Sequence, residues 1–80
     1  MSDREIHDGI MQCFGFANRW TAKVYRWVLD AIVDGDFNTD VEDLCESVRA
    51  YVTEVKKVPE WRLGGIDFSA VAIALVDSGV

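Results

Sequence analysis

Apolar positions recur at intervals of three and four along most of the chain, which is the spacing of one helix face, and four segments carry that pattern. In the first, Ile6, Ile10, Cys13, Phe14 and Ala17 follow Ser2 and Glu5, which have capping-box spacing, so a helix is expected to start at Asp3. Gly9 weakens this helix by about 1 kcal/mol relative to alanine, and Gly15 is expected to end or bend it. The second segment fits a helix from about Asn18, a candidate N-cap, to Asp34. Trp20, Val24, Trp27, Val28, Ala31 and Ile32 share its stripe. The run TAKVYRWV is also rich in β-branched and aromatic residues, so a short strand near 21–28 is the alternative. The helical phase held from Trp20 to Ile32 favours helix.

A second capping box, Thr39 and Glu42, opens a third segment in which Val41, Leu44, Cys45, Val48, Val52 and Val55 follow at helical spacing. Lys56 and Lys57 suit the negative end of its dipole, and Pro59 prevents continuation. The stretch VPEWRLGG reads as a loop. Beyond it Asp67 can cap a helix, with Ile66 and Val71 at hydrophobic-staple spacing. Val71, Ile73 and Leu75 also alternate as in a strand near 70–76, but the alanines between them favour a buried helix. The pattern therefore predicts an all-α fold, a compact bundle of about four short helices forming one domain over residues 1–80, with α+β as the alternative.

Eighty residues, half of them hydrophobic, suffice for one small core. Compactness scaling gives a radius of gyration of roughly 12 Å, which leaves little room for an enclosed active-site cleft. Fourteen acids against eight bases give a net charge of −6, disfavouring direct contact with nucleic acid and favouring attraction to basic protein surfaces. Cys13 and Cys45 form no Cys-x-x-Cys pair and no disulfide framework. The charged start Met1-Ser2-Asp3-Arg4-Glu5 lacks the apolar run of a signal peptide, and no stretch of about 18 apolar residues follows. A cytoplasmic protein with reduced thiols and no membrane contact is expected.

Charge is sorted into blocks. From Asp30 to Glu46 there are seven acids and no base: Asp30, Asp34, Asp36, Asp40, Glu42, Asp43 and Glu46. Within DGDFNTDVEDLCE, Asp34, Asp36 and Asn38 match the start of a calcium loop, but Thr39 stands where glycine is needed and Cys45 where the bidentate glutamate belongs. Asp40, Glu42 and Asp43 fall in the expected first turn of the third helix, where its dipole favours negative charge. Asp30, Asp34 and Asp36 sit at the end of the second helix, where the dipole opposes them. Arg19, Lys23 and Arg26 line a face of the second helix expected to lie opposite its tryptophan stripe, so a basic stretch precedes an acidic one.

Candidate chemistry is sparse. His7 has no nucleophile at helical spacing, and both cysteines lie on apolar stripes, as core thiols do. Ser69 lacks a nucleophile-elbow motif, and Gly64-Gly65 lacks a phosphate-loop lysine. No catalytic residue, cofactor or metal is assigned. Trp20 and Trp27 belong to the apolar stripe, whereas Trp61, between Glu60 and Arg62, is either a lid on the core or an interface anchor.

Two segments, NRWTAKVYRWVLD and GIDFSAVAIALVD, resemble parts of short accessory proteins encoded by phages and plasmids. Those carry a Thr-Trp-x-Val-x-Leu-Trp-like segment early and an Asp-aromatic-x-x-aliphatic-Ala-like helix late; here the order Trp20-Thr21 is reversed. The resemblance covers about a third of the chain and transfers no catalytic residue. It implies a mobile-element origin, where small acidic proteins that block host defence, of the anti-CRISPR and DNA-mimic kinds, are common. The leading expectation is thus a non-enzymatic binding module. It would dock Asp30, Asp34, Asp36, Asp40, Glu42, Asp43 and Glu46, with Trp61, on a basic surface of a host protein. A self-assembling helical subunit, such as a homodimer, is the alternative, and a calcium-responsive module the third reading.

Overall fold

The first backbone N–H groups of a helix have no partner within it, and side chains take them up at every long helix of this protein. Ser2 accepts from Glu5 N–H at 3.3 Å, Asn18 from Thr21 N–H at 2.8 Å, Asp43 from Glu46 N–H at 3.1 Å and Asp67 from Ala70 N–H at 3.0 Å. The computed structural model describes residues 2–37 and 43–79. Among them it is all-α, with no strand: α1 Asp3–Phe14, α2 Arg19–Val33, α3 Leu44–Glu54, α4 Glu60–Leu63 and α5 Phe68–Asp77. Both strand alternatives give way to helices, α2 and α5.

Three boundaries differ from the sequence reading. Asp43 has extended backbone angles, φ −112° and ψ 89°, so it is the N-cap of α3 rather than a first-turn residue. The box of Thr39 and Glu42 lies outside the described residues. Second, α3 closes before Pro59: Lys57 takes a left-handed φ of 55° and Val58 N–H bonds to Val52 O at 3.2 Å. Third, VPEWRLGG contains the single turn α4. Pro59 is already fixed at φ −65°, and a missing N–H costs nothing at a helix start. That turn buries Leu63. At the other junction Gly15 ends α1 at φ 70°, a conformation that suits glycine.

α2 is the hub, packed against α1, α3 and α5, and α3 also packs on α5. The core combines Ala22, Val24, Tyr25 and Val28 of α2, Val48 and Val52 of α3, and Val71, Ala74 and Leu75 of α5. Phe16, Val58, Leu63 and Ile66 close it from the connections and α4. α1 contributes no fully buried residue and rests on the core through Ile10, Met11 and Phe14. Phe14 meets the Tyr25 ring at 4.8 Å between centroids. The radius of gyration is 11.7 Å. No helix among the described residues is long and apolar enough to cross a membrane.

The stripes are rotated from those expected. The buried face of α2 is Thr21, Ala22, Val24, Tyr25, Val28 and Ala31, leaving Trp20 and Trp27 half-buried at its edge. Val55 is 59% exposed because α3 has already ended there. Cys13 is exposed rather than a core thiol, since α1 turns only one narrow stripe inward. Cys45 is half-buried, its sulfur 4.0 Å from the Ser69 hydroxyl.

Candidate functional site

On α2, residues three and four apart share a face, so Trp20, Lys23, Trp27, Asp30 and Asp34 form one continuous stripe away from the buried side. Its first part is aromatic and cationic, and its last part is acidic. The Trp20 and Trp27 rings meet edge to face at 5.6 Å. Lys23 lies over both, 5.2 and 5.1 Å from the centroids. Lys23 therefore belongs to the tryptophan stripe and not opposite it, as the spacing of 20, 23 and 27 dictates. Lys56, from beyond α3, stands 5.3 Å from Trp27, and Arg62 of α4 stands 5.7 Å from Trp20 and 4.9 Å from Trp61. A cation over an indole gains about 0.5–1 kcal/mol at an exposed site.

Trp61 is 76% exposed, so it is no lid on the core. It adjoins this cationic group through Arg62. Trp20 Nε1 is buried and has no protein acceptor among the described residues.

The remaining α2 bases turn to α1. Arg19 pairs with Asp8, and Arg26 pairs with Asp3 at 3.2 Å and reaches Asp30 at 4.0 Å. The basic stretch is thus consumed internally. Between α1 and α2 lies an open cleft of about 230 Å³ lined by Asp3, His7, Lys23, Arg26, Trp27 and Asp30. Burial and the Arg26 charge hold the His7 imidazole below its usual value, against the opposing pull of Asp3 and Asp8.

The acidic end converges on an aromatic pair. Phe37 meets Tyr51 of α3 edge to face at 5.7 Å. Burial raises the Tyr51 phenol above its ordinary value of 10.0, and the charges of Asp36, Asp34 and Asp30 push it further. Asp30, Asp34 and Asp36 thus lie near enough to Tyr51 for their charges to act on its phenol. Asp43 and Glu46 are exposed at the start of α3, joined by their cap bond. Asp34, Asp36, Asp43 and Glu46 make no ion pair with a described residue. Asp40 and Glu42 lie outside the described residues, as do calcium-loop positions 38–42. Among the described residues no three of His, Cys, Asp and Glu come together as a metal-holding group.

Structure thus unites Asp30, Asp34 and Asp36, and places Trp61 with the cationic aromatic group. Sequence reasoning missed Tyr51 and Phe37, whose approach depends on how α3 folds back on α2. Lys23 was within reach of the spacing alone.

Tyr51 offers a direct test of the convergence. Its raised pKa means that the folded chain keeps the phenolic proton where the unfolded chain has lost it. Stability from this source is complete below about pH 10 and lost as pH rises through the folded value. Neutralising Asp34 and Asp36 to asparagine is expected to move the Tyr51 midpoint down toward its ordinary value. Ring-carbon NMR separates it from Tyr25, and an unmoved midpoint would mean that the carboxylates do not face it.

No protein-family model, no curated protein and no solved structure matches the chain.

Proposed function

We propose that this chain is a non-enzymatic protein-binding module that docks its acidic end on a basic, nucleic-acid-binding surface of a host protein. The docking residues are Asp30, Asp34 and Asp36 beside Tyr51, with Asp43 and Glu46 at the start of α3, and with Asp40 and Glu42 of the connecting segment. The reading includes an anti-defence role of the anti-CRISPR kind, carried by a phage or plasmid. The observation that carries the docking reading is the unequal use of charge. Arg19 and Arg26 are spent on α1 and Asp30, whereas Asp34, Asp36, Asp43 and Glu46 are exposed with no described ion-pair partner.

Leaving carboxylates clustered and unneutralised costs self-repulsion, and a basic partner relieves it. The mechanism is occlusion. Opposite charge speeds the encounter, and the Phe37–Tyr51 edge supplies shape beside the carboxylates. The cytoplasm is the compartment that such a target implies.

A tagged pull-down from nuclease-treated host lysate tests the reading beside a variant with Asp34, Asp36, Asp40 and Glu42 changed to lysine. Circular dichroism confirms that the two preparations are equally folded. One stoichiometric partner, captured by the wild type and lost with the variant, is the expected result. A partner retained by the variant would place the interface elsewhere.

A further inference from the structure

The α2 stripe has a property that docking on a basic partner does not use: it is complementary to itself. Trp20, Lys23 and Trp27 occupy its first part, reinforced from the side by Lys56 and Arg62, and Asp30 and Asp34 occupy its last part. At 1.5 Å of rise per residue, Lys23 and Asp34 stand about 16 Å apart along the axis. A two-fold interface requires that when residue i meets residue j of the second copy, j also meets i. Two antiparallel α2 stripes satisfy this when the axis passes midway between positions 23 and 34, which on the exposed stripe falls between Trp27 and Asp30. Lys23 of each copy then opposes Asp34 of the other. The acidic end around Asp36 comes toward Arg62 and Trp20, and the two Trp27 rings come near the axis. Large aromatic side chains at the centre of an interface with charges toward its rim are a common arrangement of contact energy.

We propose that the chain pairs with a second copy of itself through the α2 stripe, the cationic tryptophan end of each copy covering the acidic end of the other. The proposal rests on the functional reading above in one respect, that the acidic end is a docking surface. Self-pairing occupies that surface until a basic partner displaces the second copy. Capture of the partner is then accompanied by dissociation of the pair.

The distribution of charge favours a second copy over another acidic ligand. The cationic aromatic end needs a carboxylate-bearing surface, and the acidic end needs a cationic one. The same molecule supplies both in one rigid stripe. Lys23 is held over two indoles, so its ammonium is already placed. Nucleic acid is disfavoured at this end by the net charge of −6.

Sedimentation equilibrium on the purified protein alone tests the pairing, at low and high salt, from micromolar to millimolar chain. Wild type is expected to rise from the mass of one chain toward that of two at low salt, and to fall back at high salt. Lys23→Glu with Lys56→Glu, and separately Asp34→Lys with Asp36→Lys, are each expected to remain at one chain's mass. Mixed in equal amounts, the two variants are expected to regain the mass of a pair, because each now presents what the other lacks. All these positions are half-buried or exposed on the surface, and circular dichroism checks their folding. A wild type monomeric throughout overturns the proposal, as does pairing retained by either variant alone or a mixture that stays monomeric. With no partner in the cell, failure here is separate from failure of the docking reading. A monomer that still captures a basic partner overturns the pairing alone.

Discussion

Leu75→Ala is expected to lower the unfolding free energy by about 2–5 kcal/mol, the range for deleting a fully buried leucine. Leu75 is 0% exposed and sits on α5, which packs against both α2 and α3. The core it belongs to is mostly valine and alanine, short side chains, the valines also stiff at χ1, that cannot swing across to fill the space. Most of the lost volume therefore persists as a cavity. A domain of this length has a total stability of only about 4–12 kcal/mol, so the loss removes a large share of it. Thermal unfolding should move down by roughly 10–30 °C. A shift of only a few degrees would mean that α5 is not wedged between α2 and α3 as described. Ile73→Ala on the same helix, 62% exposed, is the matched control and should change little.

Thr21→Val is expected to cost about 1–3 kcal/mol although it barely alters volume, because it strands hydrogen-bonding groups in the interior. Thr21 is 0% exposed and is the buried polar residue among the described positions. Its hydroxyl donates to Asn18 Oδ1 at 3.0 Å and accepts from Asp67 N–H at 3.2 Å. Asn18 Oδ1 also caps α2, and Asn18 Nδ2 donates to Gly65 O at 2.9 Å. One hydroxyl thus ties the N-terminus of α2 to the N-terminus of α5. Valine leaves Asp67 N–H without its acceptor, and serine keeps it. Denaturant midpoints for the valine and serine variants, with the exchange rate of the Asp67 amide, separate hydrogen bonding from packing. Equal stability of valine and wild type would show that the bridge contributes nothing.

How much of this was legible in the sequence follows from the range of each interaction. Ser2, Asn18 and Asp67 cap helices by contacts three residues away, and local spacing found all three. The left-handed Lys57 was not legible, because nothing in a lysine signals that conformation and the turn is set by Val58 returning to Val52. α4 was hidden because a single turn carries no period. Thr21 was overlooked since its role joins positions 46 residues apart, beyond any local pattern.

The candidate site divides in the same way. The clustering of acids from Asp30 onward is plain in the sequence, but their convergence on Tyr51 is a matter of tertiary approach between the end of α2 and α3. Arg19 and Arg26 looked like a free basic face because α1 was not known to present Asp8 and Asp3 to them. With those pairs made, the surplus of negative charge at the other end of α2 stands out more clearly than composition alone implied. Trp61 had two readings, and its exposure removes the one in which it lids the core.

The measurement that bears most directly on the docking account is the affinity of the captured partner across a salt series, for wild type and for the variant with Asp34, Asp36, Asp40 and Glu42 changed to lysine. The account predicts that wild-type affinity falls steeply as salt rises, and that charge reversal weakens binding by more than about tenfold at low salt while flattening that dependence. Affinity unmoved by both salt and charge reversal would contradict it.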